Sequence, residues 1–356
     1  MSTTLAGKAQ TVLGPVNPDA LGVTLSHEHC FMDLSVRFIP PVEASLRHVA
    51  NQPVTWDNLW YVRYHPTGNV DNLQLGDEAV MAEEVARFKT AGGGTIVDMT
   101  NIGLARDPLA LARLSRTTGV NLIMGSGYYV EPSVPGGLGM SEDEMVDVIV
   151  RDVTEGVGTT GVRAGLIGEI GCSWPTTPNE FKSLRAAARA QRLTGAPVNI
   201  HPGFSPESPF QALAELEKAG ADLSRVAMSH VEARIFDHAR RVELARTGCM
   251  LEFDLFGVEG YQPIRMVYAE HNPLPAHMPN DGSRVEMIMA LIGEGFGDRI
   301  LMSHDICWKT RLCRYGGPGY VHILNNAVPL MRSKGMDEES IRQLLVDNPR
   351  RFLTFV

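Results

Sequence analysis

Leu25-Ser26-His27-Glu28-His29 closes an apolar run that begins at Gly22. Side chains of a strand alternate between faces, so His27 and His29 point the same way. Two imidazoles about 7 Å apart along a strand can reach one ion if the strand end curves. The plain alternative is two ordinary core or surface histidines. The stretch gains weight because its pattern recurs. Short runs rich in Val, Ile and Leu lie at 22–29, 95–100, 121–127, 164–171, 197–201, 225–230, 249–254 and 299–305. Nearly all end on a polar residue: His27/His29, Asp98, Glu169, His201, His230, Asp254 and Asp305. Longer segments with helical periodicity separate them, the signature of a parallel sheet with crossover helices. A closed barrel collects reactive groups at the carboxyl ends of its strands. An open sheet would draw them from the few strands beside a switch point. The pattern predicts an α/β fold, a (β/α)8 TIM barrel with a binuclear metal centre at the C-terminal ends of the strands.

Helix signals agree with this reading. Asp107-Pro108 and Ser208-Pro209 read as a cap followed by Pro at the first helical position. Ser141 with Glu144 reads as a capping box. Met81, Val85 and Phe88 share one helical face, and Gly92 follows as a stop. The expected organisation is one domain over 1–356, with loop insertions at about 33–77 and 255–280. The first holds Trp56, Trp60, Tyr61, Arg63 and Tyr64, which are candidates to wall a pocket or to pack as an ordinary long loop.

The net charge is −9 and Lys and Arg form no long run, so nucleic-acid binding is not expected. Five cysteines without zinc-knuckle spacing argue against a disulfide framework. Residues 1–10 are polar, and no run of about 20 apolar residues exists. A cytoplasmic protein with no membrane partner and a small-molecule substrate is expected; a homodimer is left open.

Each polar strand end is a weak signal alone. Glu169, inside Leu166-Ile167-Gly168-Glu169-Ile170-Gly171, is costly to bury unless paired or metal-bound. His201 and His230 each stand where an apolar strand meets a turn. Asp305 ends the eighth strand, where a helix cap or loop salt bridge is the alternative. Together His27, His29, Glu169, His201, His230 and Asp305 make a mixed nitrogen and oxygen set. It suits two divalent ions, with Zn²⁺ first and Mn²⁺, Co²⁺ or Fe²⁺ as options. Calcium or magnesium sites would not use four histidines. Asp98 and Asp254 are left as supporting or structural residues, and His304 is read as a core residue rather than a proton relay.

The ordered pattern resembles the phosphotriesterase-like branch of the amidohydrolase superfamily, and within it the phosphotriesterase-related group. Carrying the resemblance are Gly7-Lys8 with 10–14 (QTVLG), Ser26-His27-Glu28-His29, 168–175 (GEIGCSWP), 309–320 (KTRLCRYGGPGY) and Asn348-Pro349 with Leu353-Thr354-Phe355. It implies that His27, His29 and Asp305 hold the more buried ion and His201 and His230 the more exposed one, with Glu169 bridging. In the founding phosphotriesterases that bridge is a carbamylated lysine. Its replacement by Glu169 implies activity independent of CO₂ and weakens any transfer of phosphotriester hydrolysis. The resemblance also implies cleavage of the amide bond of a small N-acylated anion, of N-acetyltaurine or N-acyl amino acid type.

On this reading a hydroxide shared by the metals attacks, and Asp305 is the catalytic proton carrier. A lactonase or carboxylesterase with the same metals is the alternative, and a non-catalytic binding barrel a remote one. Tyr128, Arg234, Lys309 and Arg311, with Arg314 beside them, are candidates to bind substrate, because an anionic tail wants a cation.

Overall fold

A computed structural model describes residues 5–259 and 278–356. The apolar runs form eight strands: β1 (Val23–Glu28), β2 (Gly93–Asp98), β3 (Asn121–Ser126), β4 (Leu166–Gly171), β5 (Val198–His201), β6 (Val226–Met228), β7 (Met250–Phe253) and β8 (Ile300–Met302). Each pairs in parallel with its neighbours in chain order, from β1 to β8. The seam between β8 and β1 is bridged by Ser26 Oγ donating to Met302 O (3.1 Å) and Asp305 N–H donating to His27 O (3.1 Å). The chain is a (β/α)8 barrel, as its strand ends predicted.

Strand alternation builds the two layers of the core. Val97, Ile123, Leu166, Ala227, Met250 and Leu301 form one cluster, closed below by Ala9, Leu21, Phe352 and Leu353. Their neighbours Ile96, Leu122, Ile167, Val226, Leu251 and Ile300 belong to the larger cluster shared with the helices. Among those helices are α1 (Glu78–Thr90), α2 (Pro108–Thr118), α3 (Glu142–Thr154), α4 (Pro178–Thr194) and α5 (Ser208–Lys218). Asp107 caps α2, and Ser141 with Glu144 forms the capping box of α3, as expected. At α5 the cap position belongs to Glu207; Ser208 is already helical, because its hydroxyl turns back to accept Gly203 N–H at 2.8 Å.

Met81, Val85 and Phe88 are the buried face of α1. The Phe88 ring lies on Gly93, where a Cβ would come within 2.4 Å of it. Phe88→Ala is expected to destabilise the fold by about 3–5 kcal/mol in urea unfolding, the usual range for emptying such a site.

The 33–77 insertion is closed by the short antiparallel pair Met32–Asp33 and Gln74–Leu75. Val49, Val54, Leu59, Tyr61 and Val62 give it a small core of its own. That core consumes the buried side of the loop, so Trp56, Trp60 and Tyr64 are left 81%, 64% and 55% exposed, and none of them lines the cavity described below. Most of the 255–280 insertion lies outside the described residues. All five cysteines are free thiols. Among the described residues no helix is long and apolar enough to cross a membrane.

Candidate metal centre

Toward the carboxyl ends of the strands the barrel interior turns from apolar to polar. His27 is fully buried, with Nδ1 3.1 Å from Glu252 Oε2, 3.1 Å from Ser229 Oγ and 3.3 Å from Asp254 Oδ2. An ionised carboxylate only accepts, so Nδ1 carries a proton and Nε2 faces inward. That Nε2 is buried and has no hydrogen-bond partner. His29 is held likewise by Thr100 Oγ1 at 3.0 Å on Nδ1, which leaves Nε2 facing Asp305 Oδ1 (3.3 Å) and Glu169 Oε1 (3.5 Å). Asp98 secures this corner: it accepts Cys30 N–H at 2.7 Å and Thr100 N–H at 2.9 Å.

Glu169 stands between two groups of imidazoles. Its Oε1 faces His29, while Oε2 lies 3.0 Å from His201 Nδ1, 3.7 Å from His27 Nε2 and 3.8 Å from His230 Nε2. The strand must approach closely here. At Gly168 a Cβ would sit 2.7 Å from Asn199 O, and φ is +144°, so glycine is required. His230 hangs on Asp254, which accepts from both its N–H and its Nδ1 (2.8 Å).

His230 and Asp305 have left-handed backbones, with φ of 57° and 50°. They therefore stand outside β6 and β8, and those strands end sooner than the sequence suggested. Such conformations are uncommon away from glycine, although Asn, Asp and His adopt them more readily than other residues, and they concentrate at functional sites.

His27 with His29 and Glu169, and Glu169 with His201 and His230, are two trios whose donor atoms lie within 4.8 Å of one another. His27, His230 and Asp254 meet the same distance criterion. Asp254, however, faces Nδ1 of both rings, so it fastens their backs rather than joining the inward set. Asp305 adds a carboxylate 3.3 Å from His29 and 3.8 Å from His27. An orphaned imidazole nitrogen amid a mixed nitrogen and oxygen set fits divalent transition ions. The rings are held from behind by Glu252, Asp254 and Thr100, as metal-binding histidines usually are.

The electrostatics of this cluster are divided. Burial would raise Glu169, but His201 and His27 hold it well below the usual carboxylate range. Burial, against the pull of Glu169, lowers His201 to about 3. For His230, burial opposes the charge, yet Asp254 and then Glu169 outweigh it and raise the group to about 9.

The cluster opens into a cavity. Met32, Leu34 and Leu104 line it from one side of the barrel, Leu255, Val258 and Met278 from another. Arg37, Arg234 and Arg311 line it too. Arg234 stacks on Phe204 (3.8 Å to the ring centre) and donates from Nε to Pro202 O. Three residues expected near substrate do not line this cavity. Tyr128 is buried in the main core; its neighbour Tyr129 takes the cavity position, its hydroxyl 3.3 Å from His201 Nε2. Lys309 turns away to pair with Asp71 at 2.6 Å. Arg314 is exposed outside the cavity.

Two supporting carboxylates were missed. Glu252 accepts from Asn199 (2.7 Å) and Ser229 (2.9 Å) besides touching His27. Glu28, also fully buried, accepts from Ser303 Oγ (2.7 Å), His304 N–H (2.9 Å), His304 Nδ1 (2.6 Å) and Ile306 N–H (3.0 Å). It thereby grips the loop that carries Asp305. His304, bound to Glu28 through Nδ1 and accepting Ile323 N–H at Nε2, is a core residue, as read from the sequence.

A polar mouth at the carboxyl ends of the strands is where enzymes built on this barrel carry their chemistry. Residues 7–353 match the model of the phosphotriesterase family, and the chain belongs to that family. It is 43% identical over 355 residues to the N-acetyltaurine hydrolase of Xenopus tropicalis, covering 99% of both chains. It is also 43% identical over 354 residues to a phosphotriesterase-related protein of Nematostella vectensis, covering 98% of this chain and 99% of the other. The crystal structure of a resiniferatoxin-binding protein from Rhodobacter sphaeroides superposes with a TM-score of 0.92 at 37% identity, over 99% of this chain and 98% of that one.

Proposed function

We propose that the chain hydrolyses the amide bond of a small N-acylated anion, N-acetyltaurine or a related N-acyl amino acid. In this reading His27, His29 and Asp305 hold one divalent ion, His201 and His230 a second, and Glu169 both, with Zn²⁺ the first choice. The observation that carries it is Glu169 turning one carboxylate oxygen toward His29 and the other toward His201. Identity of 43% to an N-acetyltaurine hydrolase over nearly the whole chain supports the substrate class.

A pair of such ions supplies Lewis acidity toward a carbonyl and toward water. The protein's own groups do the rest. Glu252 and Asp254 accept from Nδ1 of His27 and His230, and Thr100 holds Nδ1 of His29, so that Nε2 of each ring faces inward. Asp305 stands at the rim, its side chain 14% exposed, where Oδ1 can take a proton and return it to the departing amine. Burial opposes its charge, but the hydrogen bond to His29 and the nearby imidazoles keep Asp305 ionised, below the ordinary carboxylate range.

Metal analysis and a substrate panel test this. The purified protein should bind about two transition ions per chain and release taurine from N-acetyltaurine. Chelation should abolish turnover and Zn²⁺ restore it. A metal-loaded protein that opens lactones but cleaves no amide would refute the substrate class.

A further inference from the structure

Arg311 lines the cavity yet is only 5% exposed. Its guanidinium donates to two main-chain carbonyls, Asp305 O at 3.1 Å and Phe256 O at 2.8 Å, while its buried Nε has no partner. A guanidinium has five N–H donors, so these bonds leave donors unused. The other three candidate cations are placed differently: Lys309 is neutralised by Asp71, Arg314 lies outside the cavity, and Arg234, also on the cavity wall, stacks on Phe204 and donates to Pro202 O. Elsewhere in the barrel buried or half-buried guanidiniums meet carboxylates, as the buried Arg284 does with Asp281 (2.8 Å) and the half-buried Arg106 with Asp152 (2.6 Å). Arg225 and Arg241 rest on main-chain carbonyls as well, but neither reaches the cavity. Arg311 thus brings positive charge to the cavity wall with no carboxylate paired to it among the described residues. A buried charge of this kind is stabilised by an anion that arrives with the ligand.

We propose that Arg311 receives the anionic end of the substrate, a sulfonate or carboxylate, and so sets the preference for charged over neutral amides. The assignment rests on the hydrolase reading above for its chemistry, but not for its binding test. Its geometry matches the reaction. The tether from Arg311 to the main chain of Asp305 places the anion receptor beside the group that returns a proton to the amine. In an N-acyl taurine it is the amine half that carries the sulfonate.

The test compares the metal-loaded protein with Arg311→Met, and with Arg311→Gln and Arg311→Lys should Arg311→Met fail to fold. Calorimetry would follow three probes: propanesulfonate, butyrate and the uncharged methyl propyl sulfone. Loss of the charge should weaken at least one anion about tenfold or more and leave the sulfone within about twofold. Arg311→Lys should retain more anion affinity than Arg311→Gln. The better-bound anion distinguishes sulfonate from carboxylate. In turnover, kcat/KM for N-acetyltaurine should fall about tenfold further than kcat/KM for N-ethylacetamide, with the excess loss appearing in KM. Equal losses on charged and neutral probes would overturn the proposal and leave Arg311 as a strut for Asp305. Weakened anion binding in a protein that cleaves no amide would uphold Arg311 and refute the amide reading.

Discussion

Replacing Glu169 by Gln is expected to lower kcat/KM for amide hydrolysis by about 10²–10³-fold, the scale on which one preorganised electrostatic group acts. Metal content should fall from about two ions per chain to one or fewer. Gln keeps the volume and the strand, so the fold should survive. What it loses is charge and symmetry. One oxygen becomes an NH₂ donor, and the group can no longer turn an acceptor to His29 and another to His201. Metal analysis and steady-state kinetics on the same preparation check both effects. Full metal occupancy with parental kcat/KM would show that Glu169 is not the shared carboxylate.

Glu28→Ala is expected to damage both stability and turnover. Glu28 and His304 are a fully buried pair. His304 is neutral, since its Nε2 accepts Ile323 N–H, so the cost is that of buried donors left without an acceptor, about 1–3 kcal/mol each. The main-chain donors of His304 and Ile306 would also lose their acceptor, on either side of Asp305. The loop that holds Asp305 at φ 50° would then slacken. Urea unfolding should show the loss, and kcat measured on the folded fraction should fall as well. A destabilised protein with unchanged kcat would mean that Glu28 supports the core alone.

The barrel and the cluster were legible for one reason. A polar residue ending an apolar strand is expensive, and the expense recurs on strand after strand. His27, His29, Glu169, His201 and His230 all stood out in this way, and the structure brings them together with Asp305. Glu28 escaped because alternation puts it on the face opposite His27 and His29. Its partner His304 lies 276 residues further along the chain. Glu252 was hidden by having Asp254 two positions on, a more conventional strand end. The choice between Tyr128 and Tyr129 turns on where β3 stops, and a shift of one residue reverses the facing. Nor does local sequence tell that Lys309 meets Asp71, 238 positions away. Cations on a loop look alike until their partners are placed.

The backbone at residues 230 and 305 carries one more implication. Both positions adopt a conformation that asparagine or glycine would occupy more comfortably. Directed evolution for heat tolerance alone would therefore be drawn toward those two codons, relaxing the chain while removing two of the proposed metal ligands. Libraries meant to harden this scaffold should hold both codons constant and seek their gains on the helical shell.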